Sequence, residues 1–227
     1  MNTDPHGAPA RTDLPFLRRR TRRAPAAPVP STLDLSATTI DTVEPPRRPA
    51  RVAGRARSGG RTVLAPDAPT VTLTRLQSGI GVLRIAANAP DLLRLGCAYA
   101  LADGSNAAVR HDDATSARAP VVAADRRRPD LLTVDLRQSR KLKRMIVYGV
   151  AAGDPPPGHE GVLTVTTWGG TRLELPLEPP PPLGVTVYLS IYNIDGEFVV
   201  RAESDPLDGP VRAAWQAYGF DRITAAG

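Results

Sequence analysis

Histidine and acidic side chains are adjacent at only two points in this sequence. His111 is followed by Asp112 and Asp113, and His159 is followed by Glu160. The first group has the ligand types of a metal site, but a three-residue polar loop of this kind is more often simply solvated. The second group lacks the further histidine of a zinc-protease helix. These patterns predict that the protein is not an enzyme.

The single cysteine, Cys97, excludes a disulfide framework within the chain. It lies in the apolar run of residues 95–101 and has no histidine close in sequence. A small buried hydrophobe fits this context better than a reactive thiol, whose pKa has to be lowered by a neighbouring positive charge. We therefore expect Cys97 to be inert.

The positive charge of the chain is concentrated at its N-terminal end. Residues 1–66 contain 12 arginines and five acidic residues, and the remainder is nearly neutral, although the net charge of the whole chain is +6. The segment is rich in Pro and Ala, and Phe16 is its one aromatic residue. It therefore cannot bury enough apolar surface to offset chain entropy. We predict a disordered basic tail over residues 1–66.

Within this tail, residues 17–23 form a dense basic cluster that is suited to binding phosphate groups. The phosphates would belong to a nucleic acid or to an acidic membrane surface. No aromatic residues are interleaved for base stacking, and a solubilising tail without a dedicated partner is the alternative. The anion-binding candidates are Arg18, Arg19, Arg20, Arg22 and Arg23.

From residue 67 the sequence changes to short apolar runs separated by Gly, Pro and Asp-Gly turns. Alternation of apolar and polar residues within these runs is typical of half-buried strands. Residues 185–192 and 197–202 flank Asp195-Gly196, and an Asp-Gly pair between two such runs predicts a hairpin. About ten strands at this spacing, with little helix among them, predict an antiparallel β-sandwich over residues 67–227.

A short helix is predicted at the C-terminal end of the domain. Asp208 is placed to cap it, and Pro210 suits its first turn. Val211, Trp215 and Tyr218 recur at helical spacing and form one apolar stripe. Both tryptophans, Trp168 and Trp215, are expected in the core or at its rim, because Trp is highly buried on average.

The sequence contains no apolar stretch near the roughly 18 residues that span a bilayer. Its N-terminus also lacks the apolar core of a secretory signal. We predict a cytoplasmic protein without a transmembrane segment, which lies peripherally at the inner membrane surface if the tail binds acidic lipids.

Several segments, taken in order, resemble one known family. Residues 95–104 read Leu-Gly-Cys-Ala-Tyr-Ala-Leu-Ala-Asp-Gly, and Asp125-Arg126 precedes the strand of residues 130–136. Residues 215–220 read Trp-Gln-Ala-Tyr-Gly-Phe. In their order and spacing, these segments resemble TerA-like members of the TerD tellurium-resistance family. The resemblance covers residues 68–223.

The resemblance implies a β-sandwich stress-response protein that acts in a multiprotein assembly and binds calcium through acidic residues of two loops. Ca²⁺ takes six to eight oxygen ligands. This chain departs from the family's pattern, because the two aspartates of the first loop fall on Leu92 and Arg94. A guanidinium cannot ligate a cation and repels one.

The second loop keeps part of the acidic pattern. Asp125 occupies one acidic position and Asp130 stands near another, whereas Asp91 takes part only if the register slips by one residue. We predict that calcium binding is weak or lost and that Arg94 pairs with Asp125 or Asp130 in place of the ion. The alternative is a set of unconnected surface charges. Calcium is therefore a disfavoured cofactor.

Two functions remain in competition. The first is a non-enzymatic, TerD-like binding or scaffold protein whose partners are other stress-response proteins. The second is an anionic-surface binder in which the sandwich is a platform and the arginine-rich tail contacts nucleic acid or an acidic membrane.

Overall fold

The computed structural model describes residues 54–88, 93–110, 120–125, 127–152, 161–178, 180–181 and 183–223. All of them belong to one compact unit, formed by residues 48–227. They contain thirteen strands, two short α-helices and one 3₁₀ helix. Within these ranges, none of the helices is long and apolar enough to cross a membrane.

The strands belong to two sheets. The seven-stranded sheet contains, in spatial order, β1 (Gly54–Arg55), β3 (Thr70–Leu73), β13 (Glu197–Asp208), β12 (Gly184–Ile194), β9 (Leu142–Ala151), β5 (Leu93–Leu101) and β6 (Asn106–Val109). The six-stranded sheet contains β2 (Arg61–Val63), β11 (Arg172–Leu177), β10 (Gly161–Thr166), β4 (Val82–Ala87), β8 (Arg128–Asp135) and β7 (Val122–Asp125). The helical segments are α1 (Arg75–Gly79), the 3₁₀ helix (Leu136–Lys141) and α2 (Val211–Ala217).

The predicted sandwich is confirmed. Neighbouring strands are antiparallel, apart from the parallel pairs β1–β3 and β2–β11 at one edge of each sheet. The inward side chains of the two sheets form the main core, in which Ile85, Leu132 and Phe198 are fully buried. Such burial is the main favourable contribution to folding.

A second core covers the outer face of the seven-stranded sheet. Trp215 of α2 and Phe220 beyond it pack against Ile146, Tyr148 and Val187 of the central strands. β5, β9 and β12 therefore have buried residues on both faces, which explains their nearly continuous apolar sequences. Arg144 fixes the segment after α2 by donating hydrogen bonds to the carbonyl oxygens of Tyr218 and Gly219.

The predicted hairpin is confirmed as β12 and β13. Asp195 and Gly196 have φ values of 52° and 85°, as a two-residue hairpin turn of the favoured hand requires. The helix after it is confirmed as α2, and Trp215 lies on its buried stripe. Asp208 does not cap this helix, because it is the last residue of β13 and Pro210 occupies the N-cap position without a side-chain hydrogen bond.

The boundary of the predicted tail differs from the structure. Residues 54–66 were expected in the disordered segment, yet they contribute β1 and β2. Their apolar residues Ala56 and Leu64 are almost completely buried, and β1 and β2 each add one edge strand to a sheet. Residues 1–53 of the predicted tail, which include the cluster of residues 17–23, lie outside the described residues.

Helix α1 was not predicted, and it closes one end of the space between the sheets. Thr74 accepts a hydrogen bond from the Gln77 backbone, and the Gln77 side chain accepts one from the Thr74 backbone, which forms a capping box. The Gln77 amide also donates to Thr171 Oγ1 at 2.8 Å. The Ser78 hydroxyl donates to the carbonyl of Leu73 and accepts from the backbone N–H of Phe198.

The two ends of β8 identify the two ends of the sandwich. Asp125 and Arg128 face each other across the β7–β8 turn at one end. At the other end Asp135 faces Val82, and the 3₁₀ helix follows. We call the turn end the part of the latter end that is formed by residues 57–60, 75–80, 136–141, 167–170 and 194–197.

Candidate functional site

The β7–β8 turn presents the acidic residues that the sequence singled out. Asp125 ends β7 and is exposed, and its Oδ1 accepts a hydrogen bond from the backbone N–H of Arg127 at 2.9 Å. A carboxylate that bonds the backbone two residues on is a common turn former. The register of the two strands shifts beside Asp125, so the turn bends there.

Asp130 is nearly inaccessible to solvent, with 3% of its surface exposed. The Arg128 guanidinium donates two hydrogen bonds to it, from Nε to Oδ1 at 3.0 Å and from Nη2 to Oδ2 at 2.9 Å. This is the two-pronged geometry in which Arg recognises a carboxylate most strongly. Residues two apart on a strand share a face, which places Arg128 beside Asp130.

The charge of Asp130 is stabilised by this pairing. The hydrogen bonds from Arg128 lower the pKa of Asp130 below its ordinary value, while burial opposes the shift. The hydrogen bonds and charge of Asp130 raise the pKa of Arg128, and Asp125 adds a smaller contribution of the same sign. Both carboxylates of the turn therefore act on one guanidinium.

Arg94 does not take the place predicted for it. Leu93 and Leu95 point into the main core, so Arg94 between them lies on the outer face of the seven-stranded sheet. Asp130 lies on the same face of β8 as Leu132, which belongs to the main core. In the described part of the chain, Asp130 pairs with Arg128 rather than with Arg94.

The described donors at the β7–β8 turn do not fit a calcium ion. Ca²⁺ requires six to eight oxygen ligands, and a guanidinium already occupies both oxygens of Asp130. No group of three or more His, Cys, Asp or Glu side chains that could hold a metal occurs within the described ranges. Asp91 and the His111-Asp112-Asp113 group lie outside those ranges.

A shallow groove of about 490 Å³ lies beside the ion pair. Its two cationic side chains are both committed to carboxylates, Arg128 to Asp130 and Arg172 to Glu174 at 2.7 Å. The other side chains that line it are small or neutral, namely Ala86, Ala87, Asn88 and Thr164. The groove therefore offers polar contacts but no uncompensated charge.

The single cysteine has no role in chemistry at this site. Cys97 is fully buried, and burial raises the pKa of its thiol to about 12. A thiol reacts as the thiolate, so this one is inert at neutral pH. The predicted burial of Cys97 is confirmed.

Two side chains were misjudged from the sequence. Arg128 was not among the predicted site residues, although its spacing of two from Asp130 on a strand was a usable signal. Trp168 was expected in the core or at its rim, but 76% of its surface is exposed. It lies in the β10–β11 turn and covers the backbone of Gly81, where no side chain competes for the space.

The chain matches no protein-family model, and no curated protein matches its sequence. The resemblance to the TerD family therefore rests on the order and spacing of the motifs described above.

The ion pair predicts a particular pH dependence of stability. The pKa of Asp130 is lower in the folded than in the unfolded state. Its contribution to the free energy of unfolding is therefore fully present above the unfolded pKa of about 4, and it is lost as the pH falls through the folded pKa. Urea unfolding from neutral pH to about pH 2 should show this loss in the wild type. Asp130→Asn and Arg128→Gln should each remove that part of the acid dependence. A double variant that still shows it would contradict the assignment.

Proposed function

We propose that this chain is a non-enzymatic, TerD-like binding or scaffold module of a stress-response assembly, in which an ion pair takes the place of a calcium ion. The observation that supports the proposal is the buried Asp130 carboxylate, held at both oxygens by Arg128. The order of the sequence motifs supports the TerD-like part of the proposal.

Replacement of the calcium ion by a guanidinium is physically reasonable because both groups neutralise carboxylates and stabilise the loop. A bound cation neutralises clustered carboxylates and holds the turn in one conformation. Arg128 neutralises Asp130 and lies across the turn from Asp125, and its charge repels an incoming cation. The turn is therefore kept compact without calcium, and partner binding needs no calcium signal.

A calcium titration and a co-purification together test this proposal. In calorimetry the full-length chain should give no heat of binding at sub-millimolar Ca²⁺. Tagged full-length chain should also recover the same partner proteins in the presence of Ca²⁺ and of a chelator, because nothing in the binding module responds to the ion. Asp130→Asn serves as the matched variant for both measurements.

Sub-millimolar Ca²⁺ binding that disappears in Asp130→Asn would overturn the ion replacement. Recovery of partner proteins that depends on Ca²⁺ would overturn the claim that partner binding needs no calcium. Failure to recover any specific partner would overturn the scaffold function, whatever the titration shows.

The competing function, an anionic-surface binder, rests on the charge asymmetry of the sequence. Its contact residues, Arg18, Arg19, Arg20, Arg22 and Arg23, lie outside the described residues. Substituting these five arginines by glutamine in the full-length chain should abolish salt-sensitive binding to DNA or acidic vesicles under that function, and should leave partner recovery intact under the first.

A further inference from the structure

Exposed apolar side chains collect at the turn end, away from the Arg128–Asp130 pair. Eight large hydrophobic side chains are exposed in the described part of the chain, and four of them belong to this end. Trp168 is 76% exposed, Leu76 67% and Ile194 55%, and Ile80 is the fourth. Apolar groups gathered at one place on a surface indicate an interaction site.

A groove of about 760 Å³ also lies at the turn end. One wall is α1, a second is the 3₁₀ helix, and the third is the β12–β13 turn. Leu76 lies on α1, Ile80 follows it directly, and Ile194 is the last residue of β12, beside the β12–β13 turn. The polar side chains that line the groove are Arg75, Arg137, Ser139, Arg140, Asn193 and Asp195.

The charge of the groove is positive. Arg137 is committed to Asp135, with Nε to Oδ1 at 3.0 Å and Nη2 to Oδ2 at 3.2 Å. Arg75 and Arg140 form no ion pair within the described residues, and Asp195 is the acidic side chain among those that line the groove. Guanidinium groups without a carboxylate partner match the phosphate group in charge and in geometry.

Hydrogen bonds hold the walls of the groove in place. The Asn193 side chain donates to the carbonyl oxygens of Ser139 and Leu142, each at 2.9 Å, which ties the β12–β13 turn to the 3₁₀ helix. The Gln77 and Ser78 side chains fix α1 to the sheets. The apolar and basic side chains are therefore presented by elements that have little freedom to rearrange.

We infer that the turn end docks on the surface of a bilayer that contains acidic phospholipids. Trp168, Leu76 and Ile194 would lie at the level of the headgroups, where tryptophan and aliphatic side chains are favoured. Arg75 and Arg140 would contact the lipid phosphates beside them. A protein surface would satisfy the apolar groups equally, but the unpaired guanidiniums favour a partner that carries phosphates. This contact is separate from the tail arginines and from the proposed partner-binding function.

Vesicle binding of the full-length chain tests this inference, in a background where Arg18, Arg19, Arg20, Arg22 and Arg23 are glutamine. The protein should sediment with vesicles of phosphatidylcholine and phosphatidylglycerol in equal parts, and not with phosphatidylcholine alone. Arg75→Gln combined with Arg140→Gln should weaken binding about thirtyfold. Leu76→Ser combined with Ile194→Ser should weaken it about tenfold.

Matched controls come from residues outside the turn end. Leu183 is 92% exposed, and Leu183→Ser should leave vesicle binding unchanged, as should Arg212→Gln on α2. Tryptophan emission gives a direct readout, because Trp168 is exposed whereas Trp215 is 4% exposed. Emission should shift to shorter wavelength on binding acidic vesicles, and Trp168→Phe should remove the shift.

If the protein with the wild-type turn end and both double variants bind acidic vesicles equally well, the inference is wrong. Vesicle binding without an emission shift would also overturn it, because Trp168 would then stay in water. Sedimentation could instead show a dimer that Leu76→Ser combined with Ile194→Ser converts to a monomer, without a change in vesicle binding. The turn end would then be an interface between copies of this chain, and the inference would be wrong.

Discussion

Gly96→Ala should lower the free energy of unfolding by about 3 kcal/mol. Gly96 lies opposite Tyr148 of the neighbouring strand β9, and a Cβ at this position would lie 2.6 Å from three atoms of the Tyr148 ring and hydroxyl. Tyr148 is itself fully buried in the second core, so the ring has little room to move away. Urea unfolding of the two proteins measures the difference.

Gly54→Ala is the matched control for this substitution. A Cβ at Gly54 meets nothing within 4 Å, so the stability should change by less than about 0.5 kcal/mol. If Gly96→Ala were equally harmless, the packing of Tyr148 over Gly96 would be refuted. The result also bears on the sequence motif, because Gly96 is the glycine of the Leu-Gly-Cys segment that resembles the TerD family.

Ser78→Ala should lower the free energy of unfolding by roughly 3 kcal/mol. The Ser78 hydroxyl is completely buried and satisfies two backbone groups at once, the carbonyl of Leu73 and the N–H of Phe198. Alanine leaves both groups without this partner in a place that water does not reach, and each unsatisfied group costs about 1–3 kcal/mol. Hydrogen exchange should rise in α1 as well as at Phe198.

Ser105→Ala provides the comparison, because the Ser105 hydroxyl bonds the exposed Asp103 side chain. Its effect should stay within about 0.5 kcal/mol. A Ser78→Ala protein with wild-type stability and exchange would mean that α1 is not anchored by this hydroxyl. The prediction matters for the turn end, since α1 carries Arg75 and Leu76.

The hairpin and the helix after it show what could be predicted from local sequence. Asp195-Gly196 adopts the left-handed backbone that its residue types favour, and the stripe of Val211, Trp215 and Tyr218 packs as its helical spacing requires. These features depend on residues close together in the chain. Strand alternation likewise predicted the sandwich, although the short edge strands β1 and β2 lacked enough residues to show a pattern.

The candidate site was predicted less well, because its geometry depends on which face of a strand each residue occupies. Asp125 and Asp130 were correctly placed at one turn. Arg94 was expected beside them, but its strand belongs to the other sheet, and the alternation of β5 points its side chain outward. The pairing of Arg128 with Asp130 follows from their spacing of two on β8, whereas only the packing of the two sheets decides that Arg94 points away from Asp130.

Local periodicity and turn chemistry determined the sandwich, its hairpin and its C-terminal helix from the sequence alone. The tertiary structure decided the burial of Asp130, the outward direction of Arg94, the exposure of Trp168 and the anchoring of α1 by Ser78. The physical reason is that each of these features depends on groups far apart in the chain. Ser78 and Phe198 are 120 residues apart, for example, and their hydrogen bond forms only when the sheets have assembled.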